Sequence, residues 1–171
     1  MRASDHLGRS MANELRRRIM KANGPRDTKP ELALRKRLHA AGLRYRVADR
    51  RLPGSPDLVF PRWKTAIFVN GCYWHHHPGC RRATLPKTNT EFWVRKFDAN
   101  RERDRRNVRE VIALGWRVGV AWECVNASDI APLVASFVKG HHPVYTEWPD
   151  PCERGGMGLF APEEMPSSHG T

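Results

Sequence analysis

The chain has 171 residues and a hydrophobic content of 40%, enough to build one ordinary domain with a real core and too much for a wholly disordered chain. Against 18 acidic residues stand 30 Lys and Arg, a net charge of +12, which favours a polyanionic partner with nucleic acid first among them. No signal-peptide core and no apolar run long enough to cross a bilayer is present, so a cytoplasmic protein without a membrane partner is expected, with Cys72, Cys80, Cys124 and Cys152 reduced and read as metal ligands or buried thiols.

Residues 1–27 carry Arg2, Arg9, Arg16, Arg17, Arg18, Lys21 and Arg26 with few apolar anchors, which suits a basic arm that orders on a phosphate backbone; a frayed, solvated helix is the plainer alternative. The folded core is expected over residues 28–140. Thr28-Lys29-Pro30-Glu31 has the form of a capping box, followed by Leu34, Leu38 and Ala41 at helical spacing until Gly42. Residues 45–47, 58–60 and 65–69 read as short strands, the last two joined by a turn at 61–64 into a hairpin. A second helix spans 90–114, with Phe97, Val108, Val111 and Ile112 on one face and Gly115 ending it. A buried strand over 116–122 and a helix over 130–138 close the core. The order α, β, β, β, α, β, α predicts an α/β fold, a mixed sheet with helices packed on it. From residue 141 to 171 Pro, Gly and Ser dominate, and a mostly irregular tail is expected.

Chemistry concentrates in three places. In Leu52-Pro53-Gly54-Ser55-Pro56-Asp57 a carboxylate stands at the mouth of an apolar strand, directly after a proline that fixes the entering backbone. A hard cation such as Mg²⁺ takes one or two such carboxylates and fills its remaining positions with water and phosphate oxygens. Turn formation is the competing use of Pro-Asp. Two further acids lie on inward helical stripes: Glu31, in register with Leu34 and Leu38, and Asp104, in register with Phe97 and Val108. A buried carboxylate requires a basic or metallic partner. For Glu31 the capping box is a local alternative, and for Asp104 an ion pair within the surrounding arginines.

The second place is Gly71-Cys72-Tyr73-Trp74-His75-His76-His77-Pro78-Gly79-Cys80, joined by the later Trp122-Glu123-Cys124. Cys72, His77, Cys80 and Cys124 can close a tetrahedral zinc site of the structural kind, the alternative being reduced core cysteines beside a polar loop. With His77 so used, His75 and His76 remain, and His75 is the general-base candidate. The third place is aromatic: Tyr73 and Trp74 in the loop, Phe92 and Trp93 opening the second helix. Exposed rings on a stiffened loop can wedge between base pairs; core packing is their ordinary use, for Phe92 above all.

Together the motifs at 52–57 and 71–77, Thr90-Glu91-Phe92-Trp93, Asn100-Arg101-Glu102-Arg103-Asp104, Leu114-Gly115-Trp116-Arg117-Val118 and Trp122-Glu123-Cys124 resemble the very short patch repair endonucleases, collinearly over residues 9–126. The resemblance implies a restriction-endonuclease-like fold at 28–140, and a Mg²⁺-dependent nick on the 5′ side of the thymine in a T:G mismatch left by 5-methylcytosine deamination. It implies Asp57 and the Val69 backbone carbonyl as magnesium ligands, His75 as general base, and Glu31 and Asp104 as supporting acids. It also implies Cys72, His77, Cys80 and Cys124 as zinc ligands, and Tyr73, Trp74 and Trp93 as the intercalating platform. The wider nuclease superfamily carries Glu-x-Lys where this chain has Phe68-Val69-Asn70, Pro78-Gly79 lengthens the zinc loop, and residues 11–20 diverge from the usual arm. The expected partner is mismatched double-stranded DNA, bound by a monomer, with mismatch-repair proteins and a cytosine methyltransferase as companions. A nuclease of the same fold with another DNA target, and a non-catalytic zinc-stabilised DNA-binding module, are the competing functions.

Overall fold

The computed structural model describes residues 27–140, 143–149, 158–160 and 164. The arm expected at 1–27 lies outside these residues except for Asp27, as do Cys152 and most of the tail.

The described elements run α1 (Lys29–Ala40), β1 (Arg46–Val47), β2 (Leu58–Phe60), a 3-10 turn at Pro61–Trp63, β3 (Thr65–Asn70), α2 (Thr90–Ala113), β4 (Arg117–Trp122), α3 (Ala127–Lys139) and β5 (Tyr145–Trp148). They form a mixed α/β fold around one described sheet of order β1-β2-β3-β4-β5. β1, β2 and β3 pair antiparallel, whereas β3–β4 and β4–β5 are parallel, because α2 and α3 return the chain to the starting end before each new strand. Side chains alternate across the pleat. Leu58, Phe60, Ile67 and Ala121 face α1 and α3, while Val59, Ala66, Val118, Val120 and Trp122 face α2 and the 158–160 segment. The result is a helix–sheet–helix sandwich with a core on each face.

Helix ends follow local chemistry. Gly42 and Gly115 stand at φ +80° and +78°, a left-handed conformation that lets the chain leave α1 and α2 where the sequence predicts their ends. Ala41, expected in the apolar stripe of α1, is exposed because it already belongs to that exit turn. Arg117 closes α3: its guanidinium donates to the carbonyls of Phe137 (2.7 Å), Val138 (2.9 Å) and Gly140 (2.7 Å), and to Thr65 Oγ1 (2.9 Å). Those carbonyls would otherwise be orphaned at a helix end. No described helix is long and apolar enough to cross a membrane.

The segment read as irregular tail contains β5. Tyr145 pairs with Val118 and Trp148 with Ala121, and Leu159 and Phe160 are 2% exposed against the α2 face. Sequence periodicity missed this strand because its four residues are too few to establish one in a Pro- and Gly-rich context.

Candidate active site and metal centre

The carboxyl ends of β3 and β4, the start of β2 and one side of α2 enclose a cleft of about 1720 Å³. Pockets for small molecules are about 300–1,000 Å³, and this cleft is larger. Glu31, Asp57, Val69, Tyr73, Trp74, His75, Trp93 and Asp104 all line it.

Asp57 is aimed as its motif requires. Gly54 has φ +72°, and a Cβ there would stand 2.7 Å from Asn107 Nδ2, so glycine allows the 52–57 turn to lie directly on α2. The chain then enters β2 with the Asp57 carboxylate bonded at 2.7 Å by the Val69 N–H. Burial pushes the Asp57 carboxyl up to about 6, and the nearby Glu31 carboxylate adds to the rise; the Val69 N–H, Arg35 and His75 oppose it. A carboxyl so placed is poised to exchange its proton for a cation. In an extended strand the N–H and C=O of one residue point to the same edge, so the Val69 carbonyl faces the Asp57 side of β3.

Glu31 is 4% exposed and held from behind. Thr28 Oγ1 donates to it at 2.8 Å, the Asp27 N–H at 3.0 Å and Arg35 at 2.9 Å. The expected capping box is therefore altered: the threonine hydroxyl bonds the glutamate rather than a helix N–H, and Thr28 makes no side-chain cap bond. Arg35 also pairs with Asp27, and its own carbonyl accepts the Tyr45 hydroxyl at 2.9 Å. Sequence reasoning missed Arg35, although its place four residues after Glu31 was a signal.

His75 Nδ1 lies 2.5 Å from Asp104 Oδ2. Asp104 also accepts from Arg103 at 3.1 Å, so the expected arginine pairing and the inward role coexist. His76 takes no part. It sits at φ +46°, stacks on Phe97 at 4.7 Å, and has its pKa lowered by burial and then by Arg101.

Cys72, His77, Cys80 and Cys124 come together with their ligand atoms within 4.8 Å of one another. His77 Nδ1 is 3.5 Å from both Cys72 Sγ and Cys124 Sγ. Bonds of about 2.0–2.3 Å to a tetrahedral ion imply ligand separations of about 3.3–3.8 Å, so the cluster fits one after slight contraction. Burial, then the neighbouring Cys124 and Cys80, push the Cys72 thiol well above its ordinary range; a bound cation would reverse that cost. Glu123, quoted in the sequence motif but given no role there, accepts the Cys72 N–H at 2.9 Å and so ties the cluster to the end of β4.

Beside these groups lies a ring cluster. Tyr73 meets Trp74 at 5.1 Å, Phe97 at 5.5 Å and Trp93 at 6.0 Å, while Asn100 Nδ2 fastens the Trp74 carbonyl at 2.9 Å. Phe92, for which core packing was the plainer of two readings, is 52% exposed because it occupies the outward side of the first turn of α2.

A family model described as DNA mismatch endonuclease Vsr matches residues 10–82. The DNA mismatch endonuclease Vsr of Escherichia coli K12 is 46% identical over 109 residues, covering 64% of this chain and 69% of that relative. The Type II nicking enzyme V.XorIIP of Xanthomonas oryzae pv. oryzae is 44% identical over 125 residues, 73% of this chain and 90% of the relative. The Type II nicking enzyme V.NmeAIP of Neisseria meningitidis is 44% identical over 99 residues, 58% and 70% respectively.

Proposed function

The chain belongs to the Vsr family of DNA mismatch endonucleases and is a DNA endonuclease, and from that premise we propose that it nicks one strand on the 5′ side of the thymine in a T:G mismatch, using magnesium at Asp57 and structural zinc at the Cys/His cluster. The carrying observation is that Asp57, the His75–Asp104 pair and the ring cluster share the walls of one cleft. A +12 charge supports a duplex as its occupant. The fold, on this reading, is restriction-endonuclease-like, supported by a mixed sheet whose β2–β3 hairpin carries Asp57 and Val69.

Magnesium held by Asp57 and the Val69 carbonyl, with Glu31 beside them, would supply Lewis acidity toward the scissile phosphate and the leaving oxygen. The protein does the positioning. Asp57 uses one oxygen on the Val69 N–H, which fixes the carboxylate plane. Asp104 holds His75 by Nδ1, which favours the Nδ1–H tautomer and leaves Nε2 to take the proton of the attacking water. A histidine in this role also accounts for a β3 without the lysine of the wider superfamily. Tyr73, Trp74 and Trp93 offer ring faces to bases, and unstacking costs least at a mispair. The basic residues of α2 and of the arm neutralise phosphates.

The test is strand-specific nicking of a labelled duplex with a single T:G mismatch, beside its matched control, with and without Mg²⁺. A Mg²⁺-dependent cut 5′ to the mispaired thymine, lost in Asp57→Ala, is expected. Equal cutting of matched duplex would overturn the specificity, and cutting that survives Asp57→Ala would overturn the site.

A further inference from the structure

One more carboxylate is buried outside the cleft. Glu147 lies on β5, 6% exposed, and its oxygens accept the Trp122 Nε1–H at 3.0 Å, the Leu159 N–H at 2.6 Å and the Tyr145 hydroxyl. Burying a carboxylate is costly even with partners, and here it is the common acceptor of three buried donors that an apolar side chain would leave unsatisfied. What a carboxylate adds is direction. It fixes the rotation of the Trp122 indole, a ring 1% exposed that touches both functional histidines. The indole stacks on His77 at 4.1 Å with only 4° between the planes, and meets His75 edge-on at 6.5 Å. His77 faces the thiols and His75 faces Asp104. The same carboxylate anchors Leu159, which lines the cleft and whose carbonyl is bonded at 2.7 Å by Arg105 of α2.

We infer that Glu147 is a positioning residue: through Trp122 it sets the planes of His77 and His75, and so links retention of the metal to the aim of the proton-accepting imidazole. Its place in the segment beyond α3 makes that segment part of the site's support. The inference rests on the proposed roles of His77 as zinc ligand and His75 as base, and follows the general pattern in which partners behind a ligand tune both affinity and rate.

The test uses the full-length zinc-loaded protein with Glu147→Gln and Trp122→Phe, singly and together, at a temperature where urea titration shows all four proteins folded. Trp122→Phe keeps a ring against His77 but has no N–H for Glu147. Zinc release to a colorimetric chelator is one readout; single-turnover nicking of the T:G duplex, with DNA Kd measured separately, is the other. Glu147→Gln is expected to speed zinc release and slow nicking by about 10-fold each, with Kd changed by less than about 2-fold. Both effects should largely vanish in the Trp122→Phe background. Full effects persisting there, or none in either background, would overturn the inference. Should the wild type nick no mismatched duplex, the functional reading fails while the zinc-release cycle still decides this one. A wild type that retains no zinc overturns this inference and the ligand assignment together.

Discussion

Replacing Asp57 by asparagine is expected to stabilise the protein in the absence of magnesium. The folded carboxyl is held up at about 6 against a usual 3.8, so between those values the unfolded chain gives up its proton while the folded one keeps it. Stability therefore falls as pH rises through that window and is flat above it. The gap corresponds to about 3 kcal/mol, reduced to about 2 by solvent in the open cleft. Asparagine retains an acceptor for the Val69 N–H and carries no charge. Urea unfolding followed by tryptophan fluorescence, in zinc-containing and magnesium-free buffer, should show Asp57→Asn more stable by about 2 kcal/mol at pH 8 and by roughly half that at pH 5. Adding Mg²⁺ should then raise the stability of the wild type alone. A less stable variant at pH 8, a gain independent of pH, or equal magnesium stabilisation of both proteins would refute the reasoning.

Asp104→Asn should lower single-turnover nicking by about 100-fold or more while DNA Kd stays within about 2-fold, since it disturbs the tautomer and aim of His75 without touching phosphate contacts. Zinc added to metal-free protein at pH 7 in weak buffer should release about three protons, one from each thiol of the cluster, measurable with an indicator dye; release of none would exclude thiolate ligation. Arg117→Ala leaves the carbonyls at the end of α3 without their donor and should cost about 2–3 kcal/mol in urea unfolding, with Arg117→Lys recovering only part of it. A Tyr73→Ala/Trp74→Ala double variant should retain cleavage chemistry but lose most of its preference for mismatched over matched duplex, read as the ratio of nicking rates.

The apolar runs at 58–60, 65–69 and 116–122 were legible because each strand is largely buried on both faces and so carries few polar residues. The two long helical stripes were legible because period and stop signal agreed at Gly42 and Gly115. Asp104 could be placed inward from its register with Phe97 and Val108, and the thiol cluster from residue chemistry alone. What escaped depends on long-range contact. Arg117 reads as a surface cation until α3 presents its carbonyls, and Glu147 reads as a tail residue until β5 pairs with β4 and brings it under the Trp122 indole. Phe92 went the other way, because an aromatic residue next to Trp93 looks like core until the helix phase turns it outward.

If the Cys/His cluster holds zinc as proposed, the winding of the loop at 71–80 ties that metal to activity. Five successive side chains leave it toward three places: Tyr73, Trp74 and His76 to the rings around Phe97, His75 to Asp104 and His77 to the thiols. A run of consecutive residues diverges so sharply only if the backbone is tightly wound. It is: the His75 N–H bonds the Gly71 carbonyl at 3.1 Å, the His77 N–H bonds that of Cys72 at 2.9 Å, and His76 stands at a positive φ disfavoured for any residue with a side chain. Such a conformation persists only where its surroundings over-determine it. Here a metal on the Cys/His cluster would tie together Cys72 and Cys80 at the loop's two ends, His77 within it and Cys124 just beyond β4. Zinc bound there, as proposed, would hold that conformation and keep His75 aimed at Asp104; its loss would let the left-handed residue relax and weaken the bearing of the imidazole two positions before His77. On that reading, removal of zinc should abolish nicking even where Asp57 still binds magnesium, and nicking that survives zinc removal would refute a catalytic part for the metal.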